Sequence, residues 1–186
     1  MSKNITEPWI KAGYSLFADA GPQALKVEAI ARKVGKSKSS FYHLFADVDC
    51  FTEDLLTHHL QRADALAEQE RACSSIAPEL INVLVDARED LLFHRQLRFH
   101  RDVPQYRRCF EDVHRLVDEA FLSVWSRDLG VELPISALQN MYAMAVENFY
   151  LQLTPATINY QWLEGYFAQL RGMIVELQRS GQLPVR

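Results

Sequence analysis

The segment GKSKSSFYHLF, Gly35–Phe45, reads as a glycine stop followed by a short capped helix. Gly35 can take positive φ at little cost, so it can end a preceding helix. Ser37 is placed to cap a new helix running to about Phe45. If Phe41 and Phe45, four residues apart, turn inward, then Lys38, Ser39, Tyr42 and His43 lie outward or to the side, with Ser40 beside them. Just upstream, Val27, Ile30, Ala31 and Val34 recur at i, i+3, i+4, i+7 and mark a second short helix. Two short helices joined by a tight glycine-containing turn describe a helix-turn-helix.

An amphipathic helix that could cover the pair precedes them. Its stripe is Ile5, Trp9, Ala12, Leu16 and Phe17, and it stops near Gly21-Pro22. Beyond residue 48 the helices lengthen. Leu55, Leu56, His59, Ala63 and Leu66 mark one, and Leu80, Ile81, Leu84, Val85, Leu91 and Leu92 the next, with Pro78 as its first-turn proline. A basic segment, HRQLRFHRD, leads to Pro104 and a helix carrying Tyr106, Phe110, Val113, Val117, Phe121 and Val124. SRDLGVELP interrupts the pattern, Pro134 opens another helix, and a Thr-Pro-Ala-Thr break precedes the last, which ends at Gly181. No segment alternates with period two. The chain is therefore expected to be all-α, with about nine helices and a boundary giving residues 1–47 and 48–186.

Composition places the 186-residue chain in the ordinary soluble class, at 48% hydrophobic and 24% charged. Residues 1–49 hold seven Lys or Arg against five acids, and the remainder 13 against 19, so a net charge of −4 divides into +2 and −6. That asymmetry hints at a polyanion partner for the basic part. Cys50, Cys73 and Cys109 form no CxxC pair, which points to free thiols in a reducing cytoplasm. No apolar run approaches the roughly 18 residues that span a bilayer, and the N-terminus lacks a signal-peptide core. The histidines show no metal-ligand spacing. No nucleophile elbow, phosphate loop or paired-carboxylate motif suggests an enzyme, so no catalytic residue, cofactor or metal is assigned.

A short helix with small hydroxyls and cations on its outer face suits a major groove. Lys36 and Lys38 would meet phosphates or guanine acceptors, Ser39 and Ser40 allow close approach, and Tyr42 and His43 would donate to phosphate. The alternative is a solvated helix with a buried Phe pair, in which Tyr42 merely covers the core. Lys26 and Ser37 complete the candidate DNA contacts.

Leu16-Phe17, Gly21, Ile30-Ala31, Gly35, Ser37-Lys38 and the run Phe41-Tyr42-His43-Leu44-Phe45 together resemble the TetR-family transcriptional regulators. The resemblance covers the N-terminal quarter. It implies a homodimer on a palindromic operator, usually as a repressor, with a small-molecule pocket in the C-terminal helices and Tyr42 on phosphate. Four positions depart from the family pattern. Leu25 or Lys26 replaces a capping hydroxyl, so the cap of the second helix must come from elsewhere. Lys36 replaces an apolar turn residue, and Ser39 a glycine. Val48, between Asp47 and Asp49, replaces a lysine that contacts phosphate in the family. A rival reading follows from that last change: a sensor or interaction protein of the same fold without sequence-specific DNA binding.

One head carries too few cations for tight binding, so dimerisation is expected. Gly165, Ala168 and Gly172 at i, i+3, i+7 allow close helix approach beside Trp162, Tyr166, Phe167 and Met173. With Leu138, Met141, Tyr142, Ala145 and Phe149 they could form an intersubunit four-helix bundle, or both faces could pack their own core. Candidate effector-pocket residues are Arg88, Phe93, Phe99, Tyr106, Phe110, His114, Phe121, Trp125, Tyr142 and Phe149. Arg88 falls on the stripe Ile81, Val85, Arg88, Leu92 and needs a ligand carboxylate, an internal acid, or a path to the surface.

Overall fold

The computed structural model describes residues 3–129 and 135–179. Helices α1 (Lys3–Ala20), α2 (Val27–Val34), α3 (Lys38–Tyr42), α4 (Val48–Ala72), α5 (Ile81–Asp86), α6 (Arg88–Phe99), α7 (Pro104–Leu129), α8 (Ile135–Gln152) and α9 (Tyr160–Arg179) follow in order, with no strand among the described residues. Of SRDLGVELP, expected to interrupt the helical pattern, Ser126–Leu129 instead continue α7, while Gly130–Pro134 and the expected end at Gly181 lie outside those residues. Cα packing divides the chain into two compact units: Met1–Asp64 with Glu89–His114, and Ala65–Arg88 with Arg115–Arg186.

In the first unit α1 turns Trp9, Ala12, Tyr14, Phe17 and Ala18 inward. Ile5, expected to begin this stripe, is 61% exposed, and Leu16 is only half-buried. The inward residues meet a continuous aromatic core. Phe93 stacks on both Tyr14 (4.3 Å) and Phe17 (4.2 Å). Burying each such ring contributes about 1.5–3 kcal/mol.

A polar network pins α1, α4 and α6 together inside that core. Tyr14 donates to Asp90 Oδ1 at 2.6 Å, and its oxygen lies 2.6 Å from His59 Nδ1. The hydroxyl has one proton to give, so Nδ1 carries the imidazole proton and donates to Tyr14. Arg62 pairs with both oxygens of Asp90, its terminal nitrogen at 2.7 Å. Burial, then the Asp90 charge, push the Tyr14 phenol up; burial pushes His59 down to about 3. His59 is thus a neutral core histidine.

In the second unit the sequence stripe fails at two places. Pro78 opens no α-helix: it follows a cis peptide in a π-helical turn, Ile76–Leu80, where Ala77 is extended. The run from Ile81 to Leu92 is then broken at Ala87, between α5 and α6. Arg88 therefore leaves the stripe, is exposed, and donates to the Pro155 carbonyl at 2.7 Å. Conversely, in the first unit, HRQLRF of the basic segment is the end of α6, with His94, Gln96 and Arg98 buried.

Phe121, Tyr142, Trp125 and Phe167 form one aromatic group in the second unit, with centroids 5.3 to 6.3 Å apart around Phe121 and Tyr142. Phe149, Trp162 and Tyr166 continue it along α8 and α9. Asn159 caps α9 through the Trp162 N–H at 3.0 Å, while Thr154 and Thr157 exchange hydrogen bonds across the preceding turn.

Candidate nucleic-acid interface

The turn between α2 and α3 is built from two local signals. Gly35 sits in the left-handed region (φ 71°, ψ 33°), and the Lys36 N–H returns to the Ala31 carbonyl at 2.9 Å, closing α2. Ser37 then accepts from the Ser40 N–H at 3.2 Å, capping α3. α3 itself spans only Lys38–Tyr42, shorter than the expected run to Phe45. One further turn, closed by the Phe45 N–H on the Phe41 carbonyl at 2.9 Å, carries the chain to Phe45.

Beneath α3, Phe41 and Phe45 are both buried and close on Trp9 and Phe51. Phe41 lies 5.7 Å from Trp9 and 5.4 Å from Phe51, and Phe45 4.9 Å from Phe51. This aromatic anchor fixes which face α3 presents. Lys36, Ser37, Lys38, Ser39, Tyr42 and His43 are exposed, Ser40 is half-buried, and Tyr42 stands edge-on against Phe41 with 57% of its surface in solvent. Lys26, at the start of α2, is exposed as well.

The electrostatics are less favourable to an anion than the count of lysines suggests. Lys38 is ion-paired with Glu28 of α2, and Lys33 donates to Ser15 at 2.7 Å. The Lys38 hydrogen bond holds the Glu28 carboxyl below its usual range. The Lys26 side chain makes no cap on α2, and the Glu28 carboxylate in the first turn accepts from its own backbone N–H instead. The Ala29 and Ile30 N–H groups bond the Lys26 carbonyl, and Glu28 supplies the negative charge that a helix start favours. At the start of α4, Asp47 accepts from the Cys50 N–H at 2.8 Å, which lowers its pKa, and Val48 and Asp49 follow. A helix N-terminus that could meet phosphate is thus capped by a carboxylate.

The expected pocket residues divide between the units. Phe93 and Tyr106 pack against Phe17, and Phe110 stacks between His94 and His114, all in the first unit. Phe99 is 48% exposed beneath the Arg95 guanidinium and lies outside the core. Phe121, Trp125, Tyr142 and Phe149 are in the second unit. There the structure adds a group that the sequence reading passed over, Glu70, 1% exposed and with Oε2 lacking a hydrogen-bond partner. Its signal was present: Leu56, His59, Ala63, Leu66, Glu70 and Cys73 continue one stripe at alternating steps of three and four.

Of the expected dimer residues, Tyr142, Phe149 and Tyr166 are buried within the chain, and Leu138, Met141, Ala145 and Trp162 are half-buried. Gly165, Ala168, Gly172 and Met173 face outward, and a Cβ added at either glycine meets nothing within 4 Å. Burial raises the Cys73 and Cys109 thiols, and the Asp47 carboxylate raises Cys50, so none is poised as a thiolate. Among the described residues no group of His, Cys, Asp and Glu could hold a metal, and no helix is long and apolar enough to cross a membrane.

Residues 10–47 match the family model of the bacterial regulatory proteins, tetR family. Over 91% of its length the chain superposes on 95% of a transcriptional regulator from Rhodococcus sp. Rha1, with a TM-score of 0.65 at 18% identity. It likewise superposes, over 92% of its length and 97% of the other, on a protein assigned to the TetR-family transcriptional regulators from Mesorhizobium loti MAFF303099, with a TM-score of 0.54 at 16% identity. No curated protein matches the sequence.

Proposed function

We propose that this chain is a DNA-binding regulator of the TetR family rather than an enzyme, and that it acts as a cytoplasmic, ligand-responsive repressor that binds a palindromic operator as a homodimer. The observation that carries this reading is the presentation of α3. Its apolar side is locked by Trp9, Phe41, Phe45 and Phe51, while Lys36, Lys38, Ser39, Tyr42 and His43 stand free of the core. A helix held this way can enter a major groove without backbone rearrangement, so little ordering cost is taken from binding. Two copies supply the second half-site, roughly 34 Å or a multiple away. The outward small residues of α9, Gly165, Ala168 and Gly172, support a helix-to-helix contact between copies. The aromatic group around Tyr142 supports an effector site in the second unit.

A second reading, the same fold retained as a sensor or interaction protein without sequence-specific DNA binding, is favoured by the Glu28–Lys38 pair and by Val48 between Asp47 and Asp49. Selection of random duplex DNA on the purified protein, at low and near-physiological salt, separates the two. Enrichment of a two-fold palindrome that survives the higher salt upholds the repressor reading. Binding that vanishes with salt and selects no sequence upholds the second. Val48→Lys provides a paired control, because a restored cation at the start of α4 should strengthen binding only if DNA passes there.

A further inference from the structure

Glu70 occupies a core position of α4 in the second unit, and a carboxyl there without a partner for one oxygen is costly to keep. The groups that face it come from three helices. Asp118 of α7 lies close enough to repel its charge, Tyr142 of α8 donates its hydroxyl to Asp118 at 2.6 Å, and Arg71 and Cys73 are on α4 itself. Arg71 lies 3.9 Å from Glu68, with 46% of its side chain exposed, and does not hydrogen-bond Glu70. The Tyr142 ring in turn borders Trp125 at 6.1 Å and Phe121 at 5.3 Å. The protein therefore brings two carboxyls and three aromatic rings together and gives the open Oε2 no hydrogen-bond donor, the solvent-exposed Arg71 acting on Glu70 through its charge alone.

We infer that Glu70, with Asp118 and the rings of Tyr142, Trp125 and Phe121, is the recognition point for a ligand that carries an ammonium or guanidinium group on an apolar body. The inference rests on the reading that the second unit holds an effector, and it specifies the effector's chemistry. An N–H of such a ligand would meet the open Oε2, its charge would offset the Glu70–Asp118 repulsion, and aromatic faces attract cations in desolvated settings. An anion would be repelled by Asp118. Without ligand, burial followed by Asp118 raises Glu70 to about 8, so it holds a proton at pH 7. Pairing with the cation ionises Glu70 and passes about one proton per ligand to the buffer.

The test is calorimetric titration of the intact protein with 2-phenylethylammonium, 2-phenylethanol and phenylacetate at pH 7, in two buffers of different ionisation enthalpy. The ammonium is expected to bind most tightly, with a buffer-dependent enthalpy that reports proton release, and Glu70→Gln should weaken it about tenfold and abolish the buffer dependence. Equal affinity for the neutral alcohol, no saturable ammonium binding, or an enthalpy independent of buffer in the unsubstituted protein overturns the inference. The last measurement needs no variant to fold. Running the DNA selection on the same preparation keeps the two ideas apart. A palindrome without ammonium binding leaves the repressor and removes this ligand class. Ammonium binding without a palindrome keeps the ligand class and removes the repressor.

Discussion

A Cβ built on Gly13 would stand 2.4 Å from Cζ of Phe51, so the backbone of α1 touches a ring of α4 with no room for a methyl group. Glycine inside a helix costs about 1 kcal/mol relative to alanine, yet here it admits the ring that also supports Phe41 and Phe45. Gly13→Ala is therefore expected to destabilise the first unit by about 1–3 kcal/mol despite the better helix former. Urea unfolding checks it. The penalty should shrink in the background of Phe51→Leu, because the two changes act on one contact. Additive effects would show that Gly13 is not kept by Phe51.

The Glu28–Lys38 pair sets the cation on α3 against DNA phosphate as competing partners. Glu28→Gln should raise operator affinity several-fold and steepen its salt dependence, whereas Lys38→Ala should lower affinity and reduce the slope of log K against log salt by about 1.8, roughly 0.9 for each of the two copies on the operator. Fluorescence anisotropy on the selected duplex over a series of salt concentrations measures both. If Glu28→Gln changes neither affinity nor slope, Lys38 does not reach phosphate.

How legible this was in the sequence depends on the range of the interactions. Gly35, Ser37 and the Phe41–Phe45 spacing act within a few residues, and the helix-turn-helix follows from them. The faces of the long helices follow from periodicity, but periodicity does not say where a neighbour ends. Ile5 lies on the right face of α1 and is still in solvent. The break at Ala87 carries no glycine or proline, so nothing local announces it. Arg62, Asp90, Tyr14 and His59 are separated by up to 76 residues, and no spacing rule could pair them. Glu70 could be placed on its stripe, but its isolation depends on Asp118 and Tyr142 arriving from other helices.

The two units should respond oppositely to pH. Buried His59, at about 3, and His94, well below the ordinary 6.5, stay neutral when folded and gain protons when unfolded. Stability from these histidines is thus complete above about 6.5 and declines as pH falls below it, because the unfolded chain binds protons that buried His59 and His94 do not. Glu70 has the reverse sign. Folded, it keeps its proton up to about 8, while the unfolded chain releases it near 4.5, so stability falls as pH rises between them. Glu70→Gln should therefore match the unsubstituted protein near pH 4.5 and exceed it increasingly toward pH 8. Denaturant midpoints over that range give the comparison, and a constant offset between the two proteins would contradict the buried, protonated Glu70.

The outward face of α9 makes a separate prediction, because its small residues serve nothing within their own chain. A Cβ on Gly172 meets no atom within 4 Å, and Gly165 is equally open. In a lone chain, glycine there only weakens the helix, so Gly172→Ala should stabilise it by up to about 1 kcal/mol. Against a second copy the same positions let two helix backbones approach, and a long charged side chain would hold them apart. Gly172→Arg is accordingly expected to leave helix content unchanged, convert a dimer to monomer in sedimentation, and weaken binding to the two-fold operator more than to an isolated half-site. A variant that stays dimeric would move the interface away from α9, and one that loses its helix content would show that Gly172 is needed within the chain after all.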